Sequence, residues 1–195
     1  MSAVIQVDAG SVMVEQQTAD LAILMDALGH AGTPPDSEAL TKIAKALAKL
    51  FAVDQDEVAI LMLHSKSKSL KFVLPEKLSA VGTIPLSSAT ALVARTARDR
   101  RSEIINNFST SRHASVFEGV PLGRGPGELI QKIMSAPILD GTHVCGVVQI
   151  SRKGRSTSDS GPDFTQKDLR VLTSLCPTLE RFVKLFLPVQ SEIKK

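Results

Sequence analysis

Residues Ser135 to Lys153 read Ser-Ala-Pro-Ile-Leu-Asp-Gly-Thr-His-Val-Cys-Gly-Val-Val-Gln-Ile-Ser-Arg-Lys, two apolar runs joined by Asp140-Gly141. The tight turn between two strands needs a residue at positive φ, which glycine adopts without steric cost, so the stretch predicts a β-hairpin. Pro137 lies in its first strand, and Gly146-Val147-Val148 marks the second.

Outward from this hairpin the chain alternates helical and extended patterns. On the N-terminal side, Leu21, Leu24, Met25 and Leu28 recur at helical spacing until Gly29, Gly32 and Pro34-Pro35 stop the helix. Residues 1–17 show little periodicity and are expected to form a flexible arm. Asp36 or Ser37 caps a second helix with the apolar face Leu40, Ile43, Ala44, Leu47, Leu50 and Phe51, its lysines 42, 45 and 49 facing water. Val58–Leu63 and Leu70–Leu74 are compact strand-like runs, and Gly82–Leu86 predicts a short third strand that Pro85 pushes to an edge.

Ser87 or Ser88 then starts a helix whose inward face is Ala89, Leu92, Val93, Thr96 and Ala97. Glu103–Asn107 follows as a brief strand. The Gly-rich segment 119–127 predicts an irregular insert, with a short helix over Glu128–Lys132 before the hairpin. Thr165 caps the last helix, with Asp168 in the place of a capping-box acid. Its stripe of Leu172, Leu175, Leu179, Phe182 and Phe186 admits two readings, domain core or dimer seam, and Pro177 predicts a kink or break. The order of elements is that of an α+β fold with an antiparallel sheet flanked by helices.

Composition narrows the function classes. The 195 residues carry 23 basic and 20 acidic side chains, a net charge of +3 too small and too interspersed to demand an anionic partner. Without Trp or Tyr there is little to stack on bases, so no nucleic-acid partner is expected. The N-terminus lacks the pattern of a secretion signal, and no apolar run approaches the ~20 residues of a membrane span, which predicts a cytoplasmic protein with no membrane partner. Cys145 and Cys176 are too few and too distant for a disulfide framework or metal site, and are expected as small buried apolar residues. His30, His64, His113 and His143 show no metal-ligand spacing, so no metal and no cofactor are expected.

Several local patterns then occur together in order: Gly82-Thr-Ile-Pro-Leu86, Leu92-Val-Ala-Arg95, Ile104-Ile-Asn-Asn107, Ser135–Gly141 with Val144–Val148, and Asp163-Phe-Thr165 with Asp168-Leu169. Over roughly Leu40 to Phe186 the chain resembles a GAF domain. The resemblance implies a central antiparallel sheet with terminal helices on one face and an irregular insert on the other, roofing a small-molecule pocket. With the terminal helices included, one domain is expected at 18–187, with a tail at 188–195.

The ligand does not carry over. The Asn-Lys-Phe-Asp-Glu set of cyclic-nucleotide-binding members is not found, and no accessible cysteine for bilin attachment is expected. The residues expected to contact a ligand are Phe108, Arg112, His113, Phe117, Ile133 and Ser135, which together offer apolar walls, a cation and a tunable donor. A reductase of free methionine sulfoxide is the enzymatic rival, but 87–140 contains no cysteine and Asn106-Asn107 stands where the resemblance would put a nucleophile.

The expected function is therefore a sensory domain that binds an unidentified small molecule non-covalently and signals through a homodimer of terminal helices, with a downstream signalling protein as a further partner. The alternative is a scaffold of the same fold without ligand, acting in dimerisation or protein interaction.

Overall fold

The computed structural model describes residues 9–30, 35–108 and 128–186. Helices α1 (Ala9–His30) and α2 (Ser37–Phe51) lead into strands β1 (Val58–His64), β2 (Ser69–Leu74) and β3 (Thr83–Pro85). Helix α3 (Leu92–Asp99), strands β4 (Glu103–Ile105), β5 (Leu129–Asp140) and β6 (His143–Gly154), and helix α4 (Gln166–Lys184) complete the order. The six strands form one sheet in the order β3-β2-β1-β6-β5-β4, with every neighbouring pair antiparallel. This is the expected α+β architecture.

The quoted hairpin forms the two long strands, β5 and β6, near the middle of the sheet. Asp140 pairs with His143, so the turn residues are Gly141 and Thr142, one step later than the Asp-Gly reading, and Gly141 takes φ +57°. Ile138 pairs with Gly146 and Leu139 with Val144, which leaves Cys145 as an extra, bulged residue. The bulge returns its side chain to the helix-covered face, where it is buried and its thiol donates to the Ile138 carbonyl at 3.4 Å. Gly146 beside it must be small: a Cβ there would stand 2.6 Å from the Leu61 carbonyl oxygen.

One face of the sheet is sealed by α1, α2 and α4. Ile60 and Met62 of β1, Met134, Ala136 and Ile138 of β5, and Val148 and Ile150 of β6 meet Ile43, Leu47, Leu172, Leu179 and Phe182 in a single apolar core. The alternation of strand residues makes this possible, because every second side chain faces the helices. Asp36 caps α2 by accepting from the Ala39 amide at 2.8 Å, and Thr165 with Asp168 forms the capping box of α4. The final helix thus serves as core over Leu172, Leu175, Leu179 and Phe182. Phe186, half-buried, meets Phe182 edge to face at 5.3 Å.

Four local expectations are corrected. Helix α1 begins at Ala9, so residues 9–17 are helical where an arm was expected. Helix α3 begins at Leu92 and leaves Ala89 exposed, because Ser88 spends its hydroxyl on the Ala91 amide in a turn before the helix. Residues 129–132 belong to β5, not to a helix: pairing of Leu129 with Gly154 and Ile130 with Lys153 extends the hairpin and overrides local helical preference. Helix α4 runs unbroken through Pro177, which stands on the exposed side of the helix, away from the core.

Candidate functional site

The other face of the sheet is built differently. Because paired residues on neighbouring strands point to the same side, the register lines up Glu103, Ser135, Gln149 and Ala59 as one row across β4, β5, β6 and β1. The row is flanked by apolar positions: Leu61 and Val147 lie in one cluster with Val93 and Ala97 of α3, and Ile133 lies in another with Leu92 and Phe108, joined by Ile105 and Ile130. Helix α3 therefore covers part of this face with a two-sided apolar grip, and the polar row runs between its halves.

Within the row the hydrogen bonds have a direction. Thr96 is fully buried and its hydroxyl donates to the Leu92 carbonyl at 3.0 Å. The Ser135 hydroxyl, 2.7 Å from the Thr96 oxygen, donates to it, and Gln149 Nε2 donates to Ser135 Oγ at 3.1 Å. Each group donates once in turn, so the chain Gln149 to Ser135 to Thr96 to Leu92 satisfies every buried hydroxyl. Glu103 at the end of the row is held in a two-bond pair by Arg95, through Nε at 3.1 Å and Nη2 at 2.7 Å.

At the end of the sheet, side chains tie this face to the helices. The Asn106 amide clamps Phe164 by donating to its carbonyl and accepting from its amide, both at 3.0 Å. The Phe164 ring lies 4.7 Å beneath the Arg152 guanidinium, which donates to the carbonyls of Phe51 and Ala52 at the end of α2. Burial lowers the Arg152 pKa, and the nearby Glu57 carboxylate opposes that shift. Glu57 accepts from the Lys153 amide at 2.5 Å and the Asp54 amide at 2.8 Å, while burial pushes its own pKa up. These groups hold the termini of α2, β6 and α4 together at one corner.

Three of the six expected contact residues fall on the described part. Phe108 and Ile133 meet in one apolar cluster, and Ser135 sits beside them in the polar row. Arg112, His113 and Phe117 lie outside the described residues. Sequence reasoning missed Gln149 and Thr96 as site residues. The signal for Gln149 was present, since it is the polar interruption in the apolar run from Val147 to Ile150.

Neither cysteine offers a thiolate. Burial, with Glu180 nearby, pushes Cys145 up to about 11, and burial, with Cys145 nearby, pushes Cys176 up to about 12. Both are free, and among the described residues no group of His, Cys, Asp and Glu side chains is placed to hold a metal ion. No helix among the described residues is long and apolar enough to cross a membrane.

No curated protein matches the chain in sequence. Solved structures show the fold. The GAF domain of an Acinetobacter phosphoenolpyruvate-protein phosphotransferase is 16% identical over 88% of this chain and 93% of its own, with a TM-score of 0.65. A free methionine-R-sulfoxide reductase from Neisseria meningitidis, solved with its substrate, is 11% identical over 94% of this chain and 96% of its own, at a TM-score of 0.62. A methyl-accepting chemotaxis protein fragment is 18% identical over 76% of this chain and 88% of its own, at 0.56. At such identities these likenesses carry the fold alone, but the family model described as GAF domain matches residues 36–183, and the chain belongs to the GAF domain family.

Proposed function

We propose that this chain is a sensory domain that binds a small molecule non-covalently on the α3-covered face of its sheet, and that it is not an enzyme. The observation that carries the reading is the half-buried Gln149, set in a polar row between two apolar clusters. A few convergent polar groups among apolar walls are what small-ligand sites have in common. GAF domains are signalling and ligand-binding modules in general, and the neighbours include the GAF domain of a phosphoenolpyruvate-protein phosphotransferase and a fragment of a methyl-accepting chemotaxis protein.

The reductase neighbour supports the opposite reading only through its fold, because thiol redox chemistry needs a thiolate and both cysteines are held neutral by burial. Signalling would run through a homodimer of terminal helices in the cytoplasm. Exposed Met13 and Ile23 on α1, 59% and 68% accessible, support that partner surface.

A thermal-shift screen with cyclic nucleotides, amino acids, oxo-acids and aromatic acids tests the sensor reading, since a ligand bound only by the folded state raises the melting temperature. A reproducible rise with one class is expected. No rise with any class would refute it. Light scattering that finds a monomer at high concentration would remove the dimer.

A further inference from the structure

The hydrogen-bond direction within the polar row says what kind of ligand the face would take. Thr96 spends its proton on the Leu92 carbonyl, so the hydroxyl–hydroxyl contact at 2.7 Å takes the Ser135 proton. Ser135 Oγ then accepts from Gln149, which fixes the Gln149 amide with Nε2 toward Ser135. This leaves Gln149 with one further N–H and a carbonyl oxygen, Oε1, neither bonded to a group of the described residues. A primary amide so held presents a donor and an acceptor side by side.

The surroundings favour a neutral partner. Ala59, across the strand pair from Gln149, is too small to cover the amide, and Leu61, Val147 and Ile133 supply apolar walls from the adjoining rows. The charged members bordering the row, Arg95 and Glu103, neutralise each other in their two-bond pair. An ionised ligand group laid against Gln149 would mismatch the amide, because a carboxylate has no donor for Oε1 and an ammonium has no acceptor for the N–H.

Resting on the sensor reading above, we propose that Gln149 recognises an uncharged ligand edge carrying an adjacent donor and acceptor, as in a carboxamide, a lactam or a nucleobase. Ser135 and Thr96 are positioning residues: they hold the amide plane without touching the ligand.

The test measures binding of benzamide and uracil against benzoate and benzylamine, by titration calorimetry and by the side-chain amide signals of Gln149 in nitrogen-15 spectra. The wild type is expected to bind benzamide or uracil at least about tenfold more tightly than either ion, the value of one satisfied pair over an unsatisfied one. The Gln149 signals should move with the neutral probes and not with the ions. Gln149→Leu should lose the tenfold preference, and Ser135→Ala should weaken it while keeping its sign. Benzoate or benzylamine binding as tightly as benzamide, with Gln149 signals unmoved, would overturn this assignment and leave the sensor reading standing. No response to any of these probes, together with no thermal shift in the broader screen, would overturn both.

Discussion

The two faces of the sheet are made from the same strands and obey different rules. On the helix-covered face, Ile60, Met134, Ile138, Val148 and Ile150 are fully buried in one apolar core. On the α3-covered face, the matching positions one residue along are Ala59, Ser135 and Gln149, with Gln149 half-buried and part of its amide unused. An apolar side chain at Gln149 would continue the pattern of β6. The contrast is one of closure: one face is sealed by packing, and the other keeps a polar row in which part of the Gln149 amide is unspent.

That contrast sets the order of expected effects. Phe182→Ala, which empties a fully buried site beneath α4, should cost about 3–5 kcal/mol in denaturant unfolding. A cost below 1 kcal/mol there would break the assignment of this face as the stabilising one. Arg152→Ala removes the donors to Phe51 and Ala52 and the cation over Phe164, and should cost about 2 kcal/mol, reduced from the sum of its contacts by the burial that the guanidinium now endures. Chemical denaturation of Arg152→Ala and Arg152→Lys tests this, and Lys should recover little, because a single ammonium cannot reach both carbonyls and cover the ring.

The cysteines sharpen the same picture through pH. Each thiol has its pKa raised in the fold, from 9.0 to about 11 for Cys145 and about 12 for Cys176, so the unfolded chain ionises first as pH rises. The stability these neutral thiols contribute, Cys145 buried and Cys176 only half-buried where full burial was expected, is complete below pH 9 and lost as pH climbs toward 11 and 12. At pH 10 the loss should be on the order of 1 kcal/mol per thiol. Urea melts from pH 8 to 10 should fall more steeply for the wild type than for a Cys145→Ala, Cys176→Ala double variant. Equal slopes would contradict the burial of these groups. Ser135→Ala, on the opposite face, should cost about 1 kcal/mol, since Thr96 keeps its bond to Leu92 and the half-exposed Gln149 finds water.

The same two faces differ in how far they can be read from the residues alone. The stabilising face was legible, because periodic apolar positions such as Leu172, Leu175 and Leu179 carry their own signal, as do the caps Asp36 and Thr165. Pro85 correctly marked an edge strand, and the Asp140-Gly141 pair correctly marked the hairpin. The bulge at Cys145 was not legible, nor was the placement of the turn at Gly141 and Thr142. The extension of β5 into Gln131 and Lys132 was hidden for a different reason: both are buried polar side chains whose partners come from the distant residues 154–163, with Gln131 donating to the Gly154 carbonyl and Lys132 held by the Gly161 carbonyl and Asp163. Polarity reads as solvent exposure unless the partner is known.

The candidate site was legible only in part. Phe108, Ile133 and Ser135, expected from the resemblance, lie together on the α3-covered face, whereas Gln149 joins them through strand register and Thr96 through the packing of α3 on the sheet, neither of which linear spacing records. Thr96 is legible as an inward-facing helix residue, but its side-chain partner Ser135 lies 39 positions away.

The most direct test of the division between the faces is Gln149→Leu, studied by scanning fluorimetry with and without the small-molecule library. Without ligand its melting temperature should stay level or rise slightly, because a half-buried polar group is exchanged for an apolar one beside Leu61 and Val147. The ligand that raises the wild-type melting temperature should leave the variant unmoved. A fall in the unliganded melting temperature comparable to that of Phe182→Ala, with the ligand response intact, would make Gln149 a structural residue and contradict the account.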